Sequence, residues 1–207
     1  EFGIFGGEKG SYLIPFMQAV RKPVVVTMHS VIPKPTKFYK NIVRTIGAQA
    51  NALVVMNQLS QAVLEYDYGI PKSKIIVIPH GIPPVAFESS LKFKKELGLE
   101  GKNVISTFGL LDSNKGIEYV IRALPRVIER FPNTVYLILG ATHPMVRKHK
   151  GERYRNYLMR TAERLGLKDH VKFYNKYLSL DEILNFLRAT DVYIYSALDS
   201  RQSVSGT

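Results

Sequence analysis

Residues 103–131 read NVISTFGLLDSNKGIEYVIRALPRVIERF, and the way this stretch folds decides the class of the chain. Val104 to Phe108 is a short apolar, partly β-branched run of the kind that forms a buried strand. Gly109 ends it, a polar loop follows, and Lys115-Gly116 opens a segment in which Ile117, Val120, Ile121, Leu124, Val127, Ile128 and Phe131 recur at helical spacing. Pro132-Asn133 supplies the stop. Strand, glycine, lysine and helix in this order make a phosphate-holding turn: Gly109 lets backbone approach a ligand, the helix offers unpaired N–H groups, and Lys115 adds a charge. An ordinary βα turn with a solvated lysine has the same local pattern, and the turn alone does not choose between them.

The same alternation extends outward. Apolar runs at Val24–Met28, Leu53–Met56, Ile75–Ile78, Val135–Leu139, Val171–Tyr174 and Val192–Tyr195 read as further strands, and helical periodicity lies at Gln58–Tyr66, Tyr154–Leu165 and Leu180–Leu187. Repeated βα alternation predicts an α/β protein with parallel sheets and right-handed crossovers. The pattern breaks at Pro79-His80-Gly81-Ile82-Pro83-Pro84 and resumes with an amphipathic piece at Leu91–Leu99. This predicts a domain boundary near residue 86, with three strands before it and four after it. Neither half completes a doubly wound sheet, so both domains are expected to be incomplete in this chain.

The 207 residues are 45% apolar and carry a net charge of +12, with a pI near 9.8. Such a balance favours anionic partners, among them nucleotides, lipid head groups and nucleic acid. The densest basic stretch, Arg147-Lys148-His149-Lys150 through Arg153, Arg155 and Arg160, is interleaved with Tyr154 and Tyr157. It reads as a solvated loop and helix face rather than a nucleic-acid surface, because its arginines alternate with apolar positions at helical spacing. Cysteine is absent, which removes disulfide and thiolate-metal chemistry, and the five histidines show no His-x-x-x-His spacing. No run reaches the roughly 18 apolar residues that a bilayer span needs.

Taken in order, several short motifs resemble the retaining glycosyltransferases of family 4, which have the GT-B fold of two Rossmann-like domains. The resemblance rests on Glu1-Phe2-Gly3-Ile4-Phe5-Gly6-Gly7, Val24-Val25-Val26-Thr27-Met28-His29 and Ile78-Pro79-His80-Gly81-Ile82. It continues through Phe108-Gly109-Leu110-Leu111 to Lys115-Gly116 and Ala189-Thr190-Asp191-Val192. Within that family the chain is similar to a mannosyltransferase-like branch whose donor loop reads like Ser203-Val204-Ser205-Gly206-Thr207.

The resemblance implies a partial acceptor-binding domain over residues 1–86 and a partial nucleotide-sugar domain over residues 87–207. Lys115 would neutralise the donor diphosphate, with Gly109 allowing its close approach. His29 would orient sugar or acceptor near the anomeric centre, and Gly6-Gly7 would bring an acceptor-side loop to the cleft. His80-Gly81 would form the interdomain segment, the glycine supplying an unusual backbone angle. Tyr174 to Leu178 falls where the nucleobase wall is expected, with Tyr174 as the donor-binding candidate, and Ser205, Gly206 and Thr207 would surround the donor sugar and phosphate. The family commonly places an arginine directly after the glycine. Here Leu110 stands in its place, leaving Lys115 alone or served by a basic residue from elsewhere.

The implied activity is transfer of a hexose, by the branch resembled a mannose, from a GDP- or UDP-linked donor to a saccharide or lipid-linked acceptor. The resemblance also implies that neither cofactor nor metal is needed: no Asp-x-Asp motif is present, and cationic groups would take the metal's role. The expected setting is cytoplasmic, with peripheral contact at the inner face of the membrane. Two alternatives follow from the residues: a non-catalytic nucleotide-sugar binder, suggested by Leu110, and a basic nucleic-acid-binding α/β protein, suggested by the charge.

Overall fold

The computed structural model describes residues 6–198 of the chain. It divides into two compact units, with the break between Pro84 and Val85.

The first unit holds α1 (Leu13–Ala19), β1 (Val25–Thr27), α2 (Lys37–Gln49), β2 (Ala52–Val55), α3 (Gln58–Tyr66) and β3 (Ile75–Val77). Its three strands are parallel in the order β1-β2-β3, with Val26 opposite Leu53 and Leu53 opposite Ile75. Each long helix starts at a side-chain cap. The Thr36 hydroxyl accepts from the Tyr39 N–H, and the Asn57 side-chain oxygen accepts from the Ser60 N–H at 2.7 Å, satisfying donors that the first turn leaves without partners. The buried stripe Tyr39, Ile42, Val43 and Ile46 of α2 packs in one core with Leu53, Val55, Leu64 and Tyr68. At the far end of α2 the Lys74 ammonium donates to the carbonyls of Gly47, Ala48 and Ala50 at 2.9–3.1 Å. This serves the C-terminal acceptors that a helix leaves unpaired.

The second unit holds α4 (Ser90–Glu96), β4 (Asn103–Phe108), α5 (Ile117–Arg130), β5 (Thr134–Leu139), α6 (Pro144–Lys150), α7 (Arg153–Arg164), β6 (Val171–Tyr174), α8 (Leu180–Arg188) and β7 (Val192–Tyr193). The sheet is parallel in the order β6-β5-β4-β7. Every residue of β5 is buried, and alternate side chains feed two cores. Tyr136 and Ile138 join Ile117, Ile121, Leu124 and Leu158, while Val135, Leu137 and Leu139 join Leu99, Leu178 and Phe186. Helices therefore cover both faces, which is why β5 reads as an unbroken apolar run instead of an alternating one. Burying each such aliphatic side chain is worth about 1.5–3 kcal/mol.

Chain order reverses at β4. After β4 the chain builds β5 and β6 on one side, then returns through α8 to place β7 on the other. Ligands of open α/β sheets bind outside the carboxyl ends of the strands at such a reversal. The run expected to be a strand through Tyr195 leaves the ladder after Tyr193. The Ile194 carbonyl accepts from the Thr107 hydroxyl at 2.9 Å, and the Ser196 hydroxyl turns to the Lys115 carbonyl at 2.7 Å.

Candidate functional site

The candidate site lies at the end of β4. Gly109 has φ 134° and is followed by a helical turn, Ser113–Lys115, capped by the Asp112 carboxylate on the Asn114 N–H at 2.9 Å. That turn sends the Lys115 side chain back over Gly109. Its ammonium nitrogen lies 3.6 Å from the point a Cβ on Gly109 would occupy, and 5.7 Å from the centre of the Tyr195 ring. The loop is clamped from the β7 side. Besides the Ser196 bond to the Lys115 carbonyl, the Leu198 N–H donates to the Asn114 carbonyl at 2.8 Å. Gly116 has φ 62°, and a Cβ there would stand 2.4 Å from the Ser196 carbonyl oxygen, so only glycine lets the clamp close.

The β5 exit lies directly against this loop. The Leu111 N–H donates to the Ala141 carbonyl at 2.9 Å and the His143 N–H to the Leu111 carbonyl at 3.0 Å. A Cβ built on Gly140, whose φ is 137°, would be 2.3 Å from the Gly109 carbonyl oxygen. Between the two loops opens a cavity of about 250 Å³ lined by Gly109, Leu110, Gly140, Ala141, Lys176 and Tyr177 among others. Lys176 also forms an ion pair with Glu182 at 2.5 Å.

Helix α7 backs both loops. The Tyr154 hydroxyl accepts from the Ile117 N–H at 3.2 Å and donates to the Glu118 carboxylate. Burial, reinforced by that carboxylate, pushes the Tyr154 phenol well above its ordinary value, so it stays a neutral donor. Arg155, 4% exposed, donates from Nη2 to the Gly140 carbonyl at 3.1 Å and from Nε to Glu152 at 3.2 Å. The Glu152 carboxylate also accepts from the Thr142 hydroxyl. That bond, with Arg155 and Arg147 beside it, holds Glu152 below the usual carboxylate range.

The structure corrects several expectations. Helix α5 does not present its first N–H groups to a ligand, since those of Gly116 and Ile117 are taken by the Ser113 carbonyl and the Tyr154 hydroxyl. Arg155 is not on a solvated face. It lies three residues before Leu158 and seven before Ala162, on the buried stripe of its helix, and that spacing is the signal that marks it. Tyr174 packs its ring edge-on against Phe186, centroids 4.7 Å apart, inside a core, while Lys176 and Tyr177 line the cavity. Gly81 is not among the described glycines with positive φ and sits in open space.

In the first unit His29 follows β1 and His80 follows β3, both exposed beyond the carboxyl ends of the outer strands. Their ring centres are 6.0 Å apart, which joins two residues given separate tasks from the sequence. Gly6 and Gly7 form the turn before the helical turn Glu8–Gly10, with the Tyr12 ring packed over both. Ser205, Gly206 and Thr207 lie outside the described residues. Among the described residues no group of three or more His, Asp or Glu side chains could hold a metal ion, and no helix is long and apolar enough to cross a membrane.

Comparison with known proteins gives the family. The model of the family described as glycosyl transferases group 1 matches residues 89–199, more than half of the chain, and that of glycosyltransferase family 4 matches residues 10–85. The chain belongs to the glycosyl transferases group 1 family. Among family relatives, an uncharacterized glycosyltransferase of Methanocaldococcus jannaschii is 25% identical over 190 residues, covering 84% of this chain and 45% of that protein. The GDP-mannose-dependent alpha-(1-6)-phosphatidylinositol monomannoside mannosyltransferase of Mycolicibacterium smegmatis is 25% identical over 138 residues, covering 65% and 33%. The crystal structure of Anabaena HepE in complex with UDP matches with a TM-score of 0.70 at 21% identity, covering 91% of this chain and 50% of that one. Sucrose-phosphate synthase of Thermosynechococcus elongatus matches at 0.68 and 18%, covering 91% and 48%. These likenesses show the GT-B fold with parallel sheets. The chain spans less than half the length of the curated relatives it matches.

Proposed function

We propose that this group 1 glycosyltransferase chain is part of a retaining hexosyltransferase, which moves a sugar from a nucleoside-diphosphate donor to a saccharide or lipid-linked acceptor. The observation that supports this reading is the Lys115 ammonium folded over Gly109 at the chain reversal of the second sheet, beside a cavity. A diphosphate seated there places its charge against Lys115. That contact strengthens as the glycosidic C–O bond breaks and negative charge gathers on the leaving oxygen. The acceptor hydroxyl attacks the anomeric carbon on the face from which the diphosphate departs, so the configuration is retained. His29, with His80 beside it, serves on the acceptor side to orient hydroxyl groups.

The proposed donor is GDP- or UDP-linked and the sugar mannose, a lean drawn from the branch resembled and in keeping with the mycobacterial relative's name. Lys115 and backbone N–H groups take the role a metal has elsewhere. The net charge of +12 suits an anionic donor and peripheral contact with an anionic membrane on the cytoplasmic side.

Radiolabel transfer tests the reading. The full-length protein, offered GDP- and UDP-hexoses with saccharide and lipid-linked acceptors in the presence of a chelator, is expected to give a product of unchanged anomeric configuration. Donor binding with neither transfer nor hydrolysis across that panel would establish a non-catalytic binder instead.

A further inference from the structure

Beneath the proposed diphosphate seat lies a buried cation, Arg155. Arg155 is 4% exposed, and one of its guanidinium nitrogens, Nη1, has no hydrogen-bond partner among the described residues. Its other terminal nitrogen, Nη2, donates to the Gly140 carbonyl at 3.1 Å and to the Thr142 hydroxyl at 3.4 Å. The Gly140 carbonyl belongs to the same peptide group as the Ala141 N–H. In a planar trans peptide those two groups point in opposite directions. With the carbonyl turned down onto Arg155, the N–H of Ala141 points away from the guanidinium, and both residues of that peptide line the cavity. No hydrogen bond from the Ala141 N–H occurs among the described residues.

We infer that Arg155 is a positioning residue for the nucleoside-diphosphate donor: it fixes and polarises the Gly140–Ala141 peptide so that the Ala141 N–H becomes a phosphate donor on the cavity wall beside Gly109. The inference rests on the nucleotide-sugar reading above. It also says how the seat gains positive character with Leu110 where the family commonly has an arginine. A guanidinium bonded to a carbonyl increases the positive end of that peptide dipole, and burial keeps water from screening it. Lys176, a cation that itself lines the cavity, is paired with Glu182 and 56% exposed, so its charge is largely neutralised by its partner and by solvent. Arg155 shares Glu152 with Arg147 at 3.6 Å, which leaves the three-residue group one positive charge in excess. Gly140 makes the placement exact in one direction, because its α-carbon lies against the Gly109 carbonyl with no room for a side chain. Any shift of the Gly140 peptide therefore moves the floor under Lys115.

The test uses the full-length protein, UDP and GDP as probes, and the matching monophosphates UMP and GMP. Arg155→Gln is expected to weaken binding of the preferred diphosphate about tenfold while the monophosphate changes much less. Arg155→Lys, which keeps a charge but not the fork, is expected to recover part of the loss. In the wild-type protein the Ala141 amide resonance is expected to move downfield when the diphosphate is added, a readout that decides the matter even if Arg155→Gln does not fold. An Ala141 amide that stays in place, or equal losses for mono- and diphosphate in Arg155→Gln, overturns the inference. If the wild type binds and Lys115→Ala does not, while Arg155→Gln binds as the wild type does, the Arg155 assignment falls and the donor site stands. If the folded wild type binds neither UDP nor GDP, the nucleotide-sugar reading fails, and the inference with it.

Discussion

The Lys115 ammonium lies 3.6 Å from where a Cβ of Gly109 would be, so one charged side chain lies over the glycine that follows β4. The two are six positions apart in a loop with no freedom to drift. Asp112 caps the turn, Ser196 and Leu198 hold it from the segment after β7, and Tyr154 holds the helix that follows. Preorganisation of this kind would hold a cation ready for the proposed diphosphate.

Gly140→Ala is expected to damage both stability and donor binding. The new methyl would meet the Gly109 carbonyl oxygen at 2.3 Å, in backbone with φ 137° that side chains rarely adopt. Forced strain at such a position costs about 1–3 kcal/mol. Thermal unfolding should show a drop of several degrees, and titration with UDP or GDP a weaker complex. An unchanged melting temperature would show that the two loops are not in contact.

Much of this was legible in the sequence because it is local. All seven strands among the described residues appear as apolar runs, and α3 and α5 carry apolar stripes that can be counted along the chain. Helix α6 was not legible: its seven residues bury no side chain, so no periodicity betrays it. Helix α2 does carry the stripe Tyr39, Ile42, Val43 and Ile46, but the prolines and lysines just before it obscure the start. In the site, the strand-glycine-lysine-helix order puts Gly109 and Lys115 in one loop, and only the motifs around it make that loop a phosphate seat. The Arg155 contact with Gly140 could not be read this way, because an arginine among six other basic residues looks solvated until the helix it sits on is packed. The apposition of His29 and His80 depends on strand order and is likewise invisible in one dimension.

Asp191 anchors the entry to the second sheet. Lys94, 8% exposed, places its ammonium 2.6 and 2.8 Å from the two Asp191 oxygens and 2.9 Å from the Lys102 carbonyl, and the Val104 N–H donates to the same carboxylate at 2.7 Å. Asp191→Ala leaves the buried Lys94 ammonium without its counter-charge and is expected to cost about 3 kcal/mol, the low end for a broken buried pair because Asp191 is partly exposed. Urea unfolding measures it. Lys94→Met combined with Asp191→Ala should cost less than the two single changes together.

Acid should loosen the floor of the site through Glu152. The Thr142 hydroxyl bond, with help from Arg155 and Arg147, lowers the Glu152 value in the folded protein. A depressed carboxylate contributes stability that is complete above its unfolded value of about 4.3 and fades as pH falls below it. Glu152→Gln is expected to lower stability at pH 7 and to flatten the decline below about pH 4.3. Denaturant midpoints for the two proteins from pH 7 to pH 3 check this, and parallel curves would contradict it.

The most direct measurement is calorimetric titration of the full-length protein and its Lys115→Ala variant with UDP and GDP. Loss of one ammonium–phosphate contact is expected to weaken the preferred diphosphate at least tenfold, about 1.4 kcal/mol or more, with the melting temperature of the unliganded protein little changed. Equal affinity of the two proteins for both nucleotides would contradict the placement of the diphosphate on Lys115 and Gly109.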